Sequence, residues 1–449
     1  MADAERAMLE RADACLLSDK PAEALLYAQI AADLRAGAKP SAAALLRVAT
    51  GSRETADALL SATGAANAAA ASLDPEDRAK INRLLKQAGD AFAAHAATNE
   101  ARAAQDGSFA ASLWAAADCY DLAGWREPAI ANFQAFVDAS QPEDLRRAEA
   151  FWRLAGLNHA EGAFEEAVKG YERAIAVAPS GPFAVQSVVP LARALSSAGR
   201  AADALQRLQS VIDGTFGLEP SAAEYYEALD LFARISFDKG DFIRSAESLR
   251  EAIARRPDEP RVGELNFRLG ESLRAVARMA REASAKGDVS EARRQEFARD
   301  AVQRLEEARR AFEASIAALD ARAGTLDELA SDMLRESHLS RAHCAFDLGK
   351  YDDAIALYEA VDRKYPEHAV SMVALIQIVN CCDALGDAVR SETAHRRAQL
   401  RLAQLPDEAF LAGGGILARE SWERWLASHP PAGRRAVATG AEGAEGGSR

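Results

Sequence analysis

Residues 151–179 read FWRLAGLNHAEGAFEEAVKGYERAIAVAP. Phe151, Leu154 and Ala155 fall three to four residues apart, Gly162 interrupts, Phe164, Ala167, Tyr171 and Ala174 resume the spacing, and Pro179 closes the stretch. A three-to-four spacing places side chains on one face of a helix. Gly suits the end of a helix and Pro the residues just beyond one. The stretch therefore predicts two amphipathic helices joined by a tight turn, a unit of about 34 residues. Such a unit cannot bury its own apolar face and must stack on neighbours.

Glycines in the same position recur at Gly124, Gly199, Gly240, Gly349 and Gly386, and prolines follow the second helix at Pro257, Pro366 and Pro406. A second clear copy carries Ala342, Gly349, Tyr351, Ala354, Tyr358 and Pro366. The interval between Gly240 and Gly349 spans about three units. Within it the pattern predicts one enlarged helical hairpin over 263–325, its second helix running from Val289 to Leu319. Residues 106–262 and 326–412 are expected to hold ordinary units, and residues 1–105 a divergent helical extension of the array. In that extension Ser41–Thr50 and Arg53–Ser61 read as two short helices. Asp74 and Pro75 open a long one, with Asp as cap and Pro in the first turn. A loop is expected over Asn99–Gly107, a C-terminal helix over 413–429 and a disordered tail over 430–449.

Composition agrees. Hydrophobic residues make up 49% of the 449 but aromatic ones only 6%, so Ala and Leu carry the apolar surface, and an all-α chain is expected. A formal charge of −14 argues against nucleic acid and anionic membrane surfaces as partners. No run of about 18 apolar residues predicts a membrane span, and the charged N-terminus does not read as a secretory leader. Five scattered cysteines suit free thiols in a reducing compartment, so a cytoplasmic location is expected.

Phe151–Pro179 resembles a tetratricopeptide repeat, and Arg335–Pro366 resembles it less closely, as do Ala110–Gln141, Val185–Phe216, Tyr226–Pro257 and Met372–Pro406. The resemblance implies a right-handed superhelical solenoid of antiparallel helix pairs that acts as a protein-interaction scaffold rather than an enzyme. In such arrays the first helix of each pair lines a concave groove. Carried onto this chain, the groove positions are Trp114, Asp118, Asp121, Glu149, Trp152, Arg193, Asp230, Arg234 and Phe237. Glu336, Leu339, His343, Phe346, Ile376, Asn380 and Asp383 follow in the late units. Trp114 and Trp152 stand in matching places and suit the capture of a peptide or helix of another protein, with Arg193 and Arg234 setting its polarity. The bland alternative is that both tryptophans pack on adjacent helices. The family's clamp for a terminal carboxylate is not reproduced, since Trp152, Gly156, Val189 and Arg193 hold those places.

Two other functions remain open at this level. Trp422 and Trp425 share one side of the C-terminal helix, which suits a structural homo-oligomer or, more simply, a cap on the last unit. A small-molecule-sensing regulatory subunit would need convergent titratable groups in a pocket. The sequence shows no phosphate loop, nucleophile elbow or metal-ligand spacing. No catalytic residue, metal or cofactor is expected. His338 and His343 lie five apart and point in different directions on a helix.

Overall fold

The computed structural model describes residues 2–34, 39–63, 73–98, 107–215, 218–219, 221–287, 289–410 and 418–429. All elements among the described residues are helical: nineteen α-helices, two short 3-10 turns and no strand. The expected loop at 99–106 and tail at 430–449 lie outside them.

The chain divides into two compact units, Met1–Glu224 and Tyr225–Arg449. The first contains α1 (Ala2–Leu17), α2 (Pro21–Asp33), α3 (Ala42–Ala62), α4 (Pro75–Ala96), α5 (Ser108–Leu122), α6 (Arg126–Ala139), α7 (Arg146–Ala160), α8 (Phe164–Val177), α9 (Pro182–Ser197) and α10 (Ala201–Ile212). The second begins in the first turn of α11 (Ala223–Asp238) and continues through α12 (Phe242–Arg255), α13 (Val262–Ser284), α14 (Glu291–Asp320), α15 (Glu328–Asp347), α16 (Tyr351–Lys364), α17 (Val370–Ala384), α18 (Ala388–Gln404) and α19 (Arg419–Ser428). Within each unit, consecutive helices pack as pairs, and the first helices of neighbouring pairs touch: α7 with α9, α13 with α15, and α15 with α17.

The glycine that closes each first helix explains the repeat. Gly124, Gly162, Gly199, Gly240, Gly349 and Gly386 all adopt φ between 71° and 79°, the left-handed region where a Cβ is costly. At Gly162 the amide bonds back to the His159 carbonyl at 3.0 Å and the next amide, Ala163, to Asn158 at 2.8 Å. This pair of bonds satisfies carbonyls that the helix end leaves open. The same longer bond recurs at Trp125–Tyr120, Arg200–Leu195, Asp241–Ser236, Lys350–Ala345 and Asp387–Cys382. One turn chemistry thus sets the reversal at six places.

The cores are those of stacked pairs. In the first unit Phe133, Phe136, Phe151 and Leu154 are buried between α5, α6 and α7. Removing each of the fully buried Phe133 and Phe136 rings from water contributes about 2–3 kcal/mol. In the second unit Tyr358, Met372, Leu375 and Val379 occupy the same kind of seam. The long pair α13 and α14 packs closely because Gly270 faces the Phe312 ring, where a Cβ would lie 2.6 Å from it.

One helix differs from expectation. Residues 42–62 form the single helix α3 rather than two short ones. Gly51 and Ser52 read as a break, but both are buried in mid-helix, and a Cβ on Gly51 would come within 3.0 Å of the Leu25 Cα. The glycine serves close approach of α2 to α3, not a turn. Asp74 caps α4 as expected, accepting from the Glu76 amide at 2.9 Å.

Candidate functional site

In the first unit three of the residues expected to line a groove, Asp118, Asp121 and Glu149, meet around Arg153, one turn along α7 from Glu149. Arg153 donates to Asp118 at 2.5 Å and to Asp121 at 2.8 Å, lies 3.7 Å from Glu149, and sits over the Phe133 ring at 5.0 Å. Asp118 also accepts from Arg53 of α3. Burial alone would raise the Asp118 pKa, but hydrogen bonds from Arg153 and Arg53 outweigh it and hold the carboxyl below the ordinary carboxylate value. Glu149 goes the other way, raised chiefly by burial against the pull of Arg153. Asp118 and Asp121 tie α5 to α7 of the next pair.

The two tryptophans are half-buried and packed. Trp114 meets Phe133 and Phe136 edge-on, with ring centroids at 5.6 and 5.2 Å. Trp152 leans on Phe183 of α9 at 5.6 Å. Each ring therefore has an aromatic partner in its own chain, on its own pair for Trp114 and on the following pair for Trp152. Arg193 is different: it stands exposed on α9 with no ion-pair partner among the described residues.

The second unit joins Asp230, Arg234 and Phe237 on α11 to a stretch of α13. Asp230 is 7% exposed and ion-paired to Arg268 at 2.5 Å and to Arg261 at 3.7 Å, which locks α11 to the next pair. Burial lowers the Arg268 pKa from the ordinary guanidinium value; Asp230 opposes this, and the neighbouring Arg234 and Arg261 charges add to it. Arg234 is exposed and has no ion-pair partner among the described residues. Phe237 is half-buried, edge-on to Phe242 at 5.0 Å.

Phe237 separates two cavities. One, of about 400 Å3, is walled by Ala233, Leu249 and Phe267 and rimmed by Arg234 and Arg268. The other, of about 500 Å3, lies against Phe242 and Leu305 and is rimmed by Arg274, Arg278 and Arg281. Phe237, Asp238 and Glu271 line both. Sequence reasoning missed the α13 contribution because the hairpin read as an insert. The signal was present: Phe267, Glu271, Arg274 and Arg278 step along α13 by three and four.

Further along, Leu339 and Ile376 are buried core residues, not groove positions. These two side chains turn into the seam with Tyr358 and Met372. His343 packs edge-on to Tyr358 at 5.6 Å, and burial pushes its pKa down to about 3. His338 lies apart, near Lys364 and Tyr365. Glu336 is raised chiefly by burial and then by the Glu271 charge, with Arg274 and Ser340 opposing.

At the C-terminal end, Trp422 is 6% exposed and packs with Leu426 into the core formed by α16, α17 and α18. His395 of α18 meets the Leu426 carbonyl at 3.0 Å. Trp425 is partly buried against the same core and stacks on His429 at 4.6 Å. Helix α19 thus covers the apolar end of the last pair.

Among the described residues no group of three or more His, Cys, Asp or Glu side chains is arranged to hold a metal ion, and no helix is long and apolar enough to cross a membrane.

Residues 337–368, comprising most of α15 with α16, match the tetratricopeptide repeat family. No curated protein matches the chain. Among solved structures, the chain is similar to the C-terminal part of a TPR repeat-containing protein from Cytophaga hutchinsonii, with 16% identity, 73% of this chain and 99% of that one covered, and a TM-score of 0.41. A tetratricopeptide repeat protein from Parabacteroides merdae shows 13% identity over 65% and 93% of the two chains at a TM-score of 0.36. Pseudomonas aeruginosa pilF shows 16% identity over 58% and 94% at a TM-score of 0.36. One helix pair, residues 337–368, thus matches the tetratricopeptide repeat directly, and the same glycine-closed turn recurs in the helical pairs on either side of it.

Proposed function

We propose that this protein is a non-enzymatic interaction scaffold that binds a peptide or helix of a partner protein along α11 and α13 of its second unit. Stacked tetratricopeptide pairs serve in general as protein-interaction scaffolds. One observation carries the choice of site: two cavities flank the half-buried Phe237, which offers apolar surface between them. Adjacent apolar slots with polar rims accept successive side chains of an extended or helical segment. Arg234 at the rim has no ion-pair partner among the described residues and is free to fix the segment's direction. Trp114 and Trp152 in the first unit contribute less to this reading, because each packs on a phenylalanine of the chain itself.

The test is site-specific photocrosslinking in the native cell. A photoreactive residue replaces Arg234 in one variant and Ile243, exposed on the second helix of the same pair, in another. A discrete crosslinked polypeptide at 234 that is absent at 243 supports the groove. Identical products at both positions, or none at 234, sink it.

A further inference from the structure

Resting on that groove, we infer that its partner is an acidic segment, one that places carboxylates beside a bulky apolar side chain. The two cavities are lined by Arg234, Arg274, Arg278 and Arg281, and by Arg268, which the buried Asp230 already engages at 2.5 Å, against three carboxylates, Asp238, Glu271 and Asp347. Two of those carboxylates are already engaged. Glu271 accepts from Ser340 at 3.1 Å and from Arg274 at 3.3 Å, and Asp347 accepts from Arg281 at 3.3 Å. Donor capacity remains on the cationic side. Arg234 has no ion-pair partner among the described residues. The ion-pair partner of Arg278 is Glu282, 3.9 Å away on the same exposed helix face, a geometry that contributes little.

A cluster of guanidinium groups with unsatisfied N–H donors is complementary to carboxylates. The apolar walls from Phe237, Phe242, Phe267, Leu249 and Leu305 favour a large hydrocarbon side chain between them. This local preference opposes the chain as a whole, which carries −14. Long-range attraction alone would recruit basic partners. A preference for acids therefore has to arise at the groove itself.

An unbiased random-peptide display selected on the full chain tests this. Binders that use the groove are recognised by their loss on Asp238→Trp, a substitution at an exposed wall residue shared by both cavities that fills the space. Removing an acid also strengthens attraction for carboxylates, so loss of acidic binders on this variant is steric. Groove binders are expected to be enriched in Asp and Glu around an aromatic or aliphatic residue. Their affinity should fall about tenfold on Arg234→Glu and weaken with added salt. Groove binders without acid enrichment, or indifferent to Arg234→Glu, overturn the inference while leaving the groove intact. If no selected peptide is sensitive to Asp238→Trp, the groove reading fails and the acidic partner with it.

Discussion

Arg153 of α7 donates to Asp118 of α5 at 2.5 Å, so a guanidinium only 12% exposed bridges two consecutive helix pairs. Asp121 and Glu149 close the cluster around it. Removing Arg153 leaves the half-buried Asp121 without its ion-pair partner and Asp118 with Arg53 alone. Arg153→Ala is expected to destabilise the first unit by about 3 kcal/mol, read as a lower urea midpoint with helicity retained at zero urea. Arg153→Lys should recover only part of this, because an ammonium cannot serve Asp118 and Asp121 through a planar fork.

Stability should depend on pH with opposite signs at two carboxylates. Asp118 has a folded pKa below its ordinary value. Its stabilisation is complete above the unfolded value of about 4 and is lost as pH falls through the lower folded value. Glu336 has a raised folded pKa, so the folded chain binds its proton more readily, and stability falls as pH rises from about 4.5 through the folded value. Glu336→Gln should stabilise the protein at pH 7 and flatten the decline between weakly acidic and neutral pH. Chemical denaturation at several pH values, wild type against variant, reads both effects.

Two glycines in the same helix pair should respond oppositely to alanine. At Gly156 a Cβ meets nothing nearer than the Tyr171 hydroxyl at 3.7 Å, so Gly156→Ala should gain up to about 1 kcal/mol from helix propensity. At Gly170 it would stand 2.8 Å from the Ala155 Cβ and 3.2 Å from the Phe151 carbonyl oxygen. Neither neighbour is a flexible side-chain tip, so Gly170→Ala should cost about 1–3 kcal/mol. Thermal melts of the two variants should move in opposite directions from wild type.

Trp422→Ala should release α19 without melting the array. The indole is buried against α16–α18, and its loss leaves a cavity worth about 3–5 kcal/mol, more than a ten-residue helix can hold on its own. Hydrogen exchange is expected to quicken at Arg419–Ser428 and at the end of α18 while the first unit keeps its protection. A change in oligomeric state on the same substitution would instead place Trp422 at a contact between chains.

Much of the architecture was legible because its cause is local. The left-handed glycines, the prolines beyond the second helices and the Asp74 cap act over a few residues and carry residue-type preferences strong enough to read directly. The candidate site was legible only in part. Arg234 and Phe237 followed from the repeat, but Arg274, Arg278 and Arg281 were hidden in a hairpin whose length broke the period. The tryptophans were correctly placed on first helices, yet their half-burial depended on Phe133, Phe136 and Phe183, residues with no sequence mark linking them to Trp114 or Trp152. Gly51 misled for a related reason: the same residue type that ends six helices elsewhere admits α2 to α3 here.

By itself, the order of residues determined that the chain is helical, where most helices reverse, and that paired helices must stack, since each pair has one apolar face too many to leave in water. Tertiary structure alone decided which charged side chains remain available. Arg153 and Arg268 are consumed by Asp118, Asp121 and Asp230 across neighbouring pairs, whereas Arg234 is left at the rim of a cavity without an ion-pair partner among the described residues. A guanidinium carries the same charge wherever it stands. Whether it holds helices together or awaits a ligand depends on which carboxylates the fold brings within about 3 Å of it.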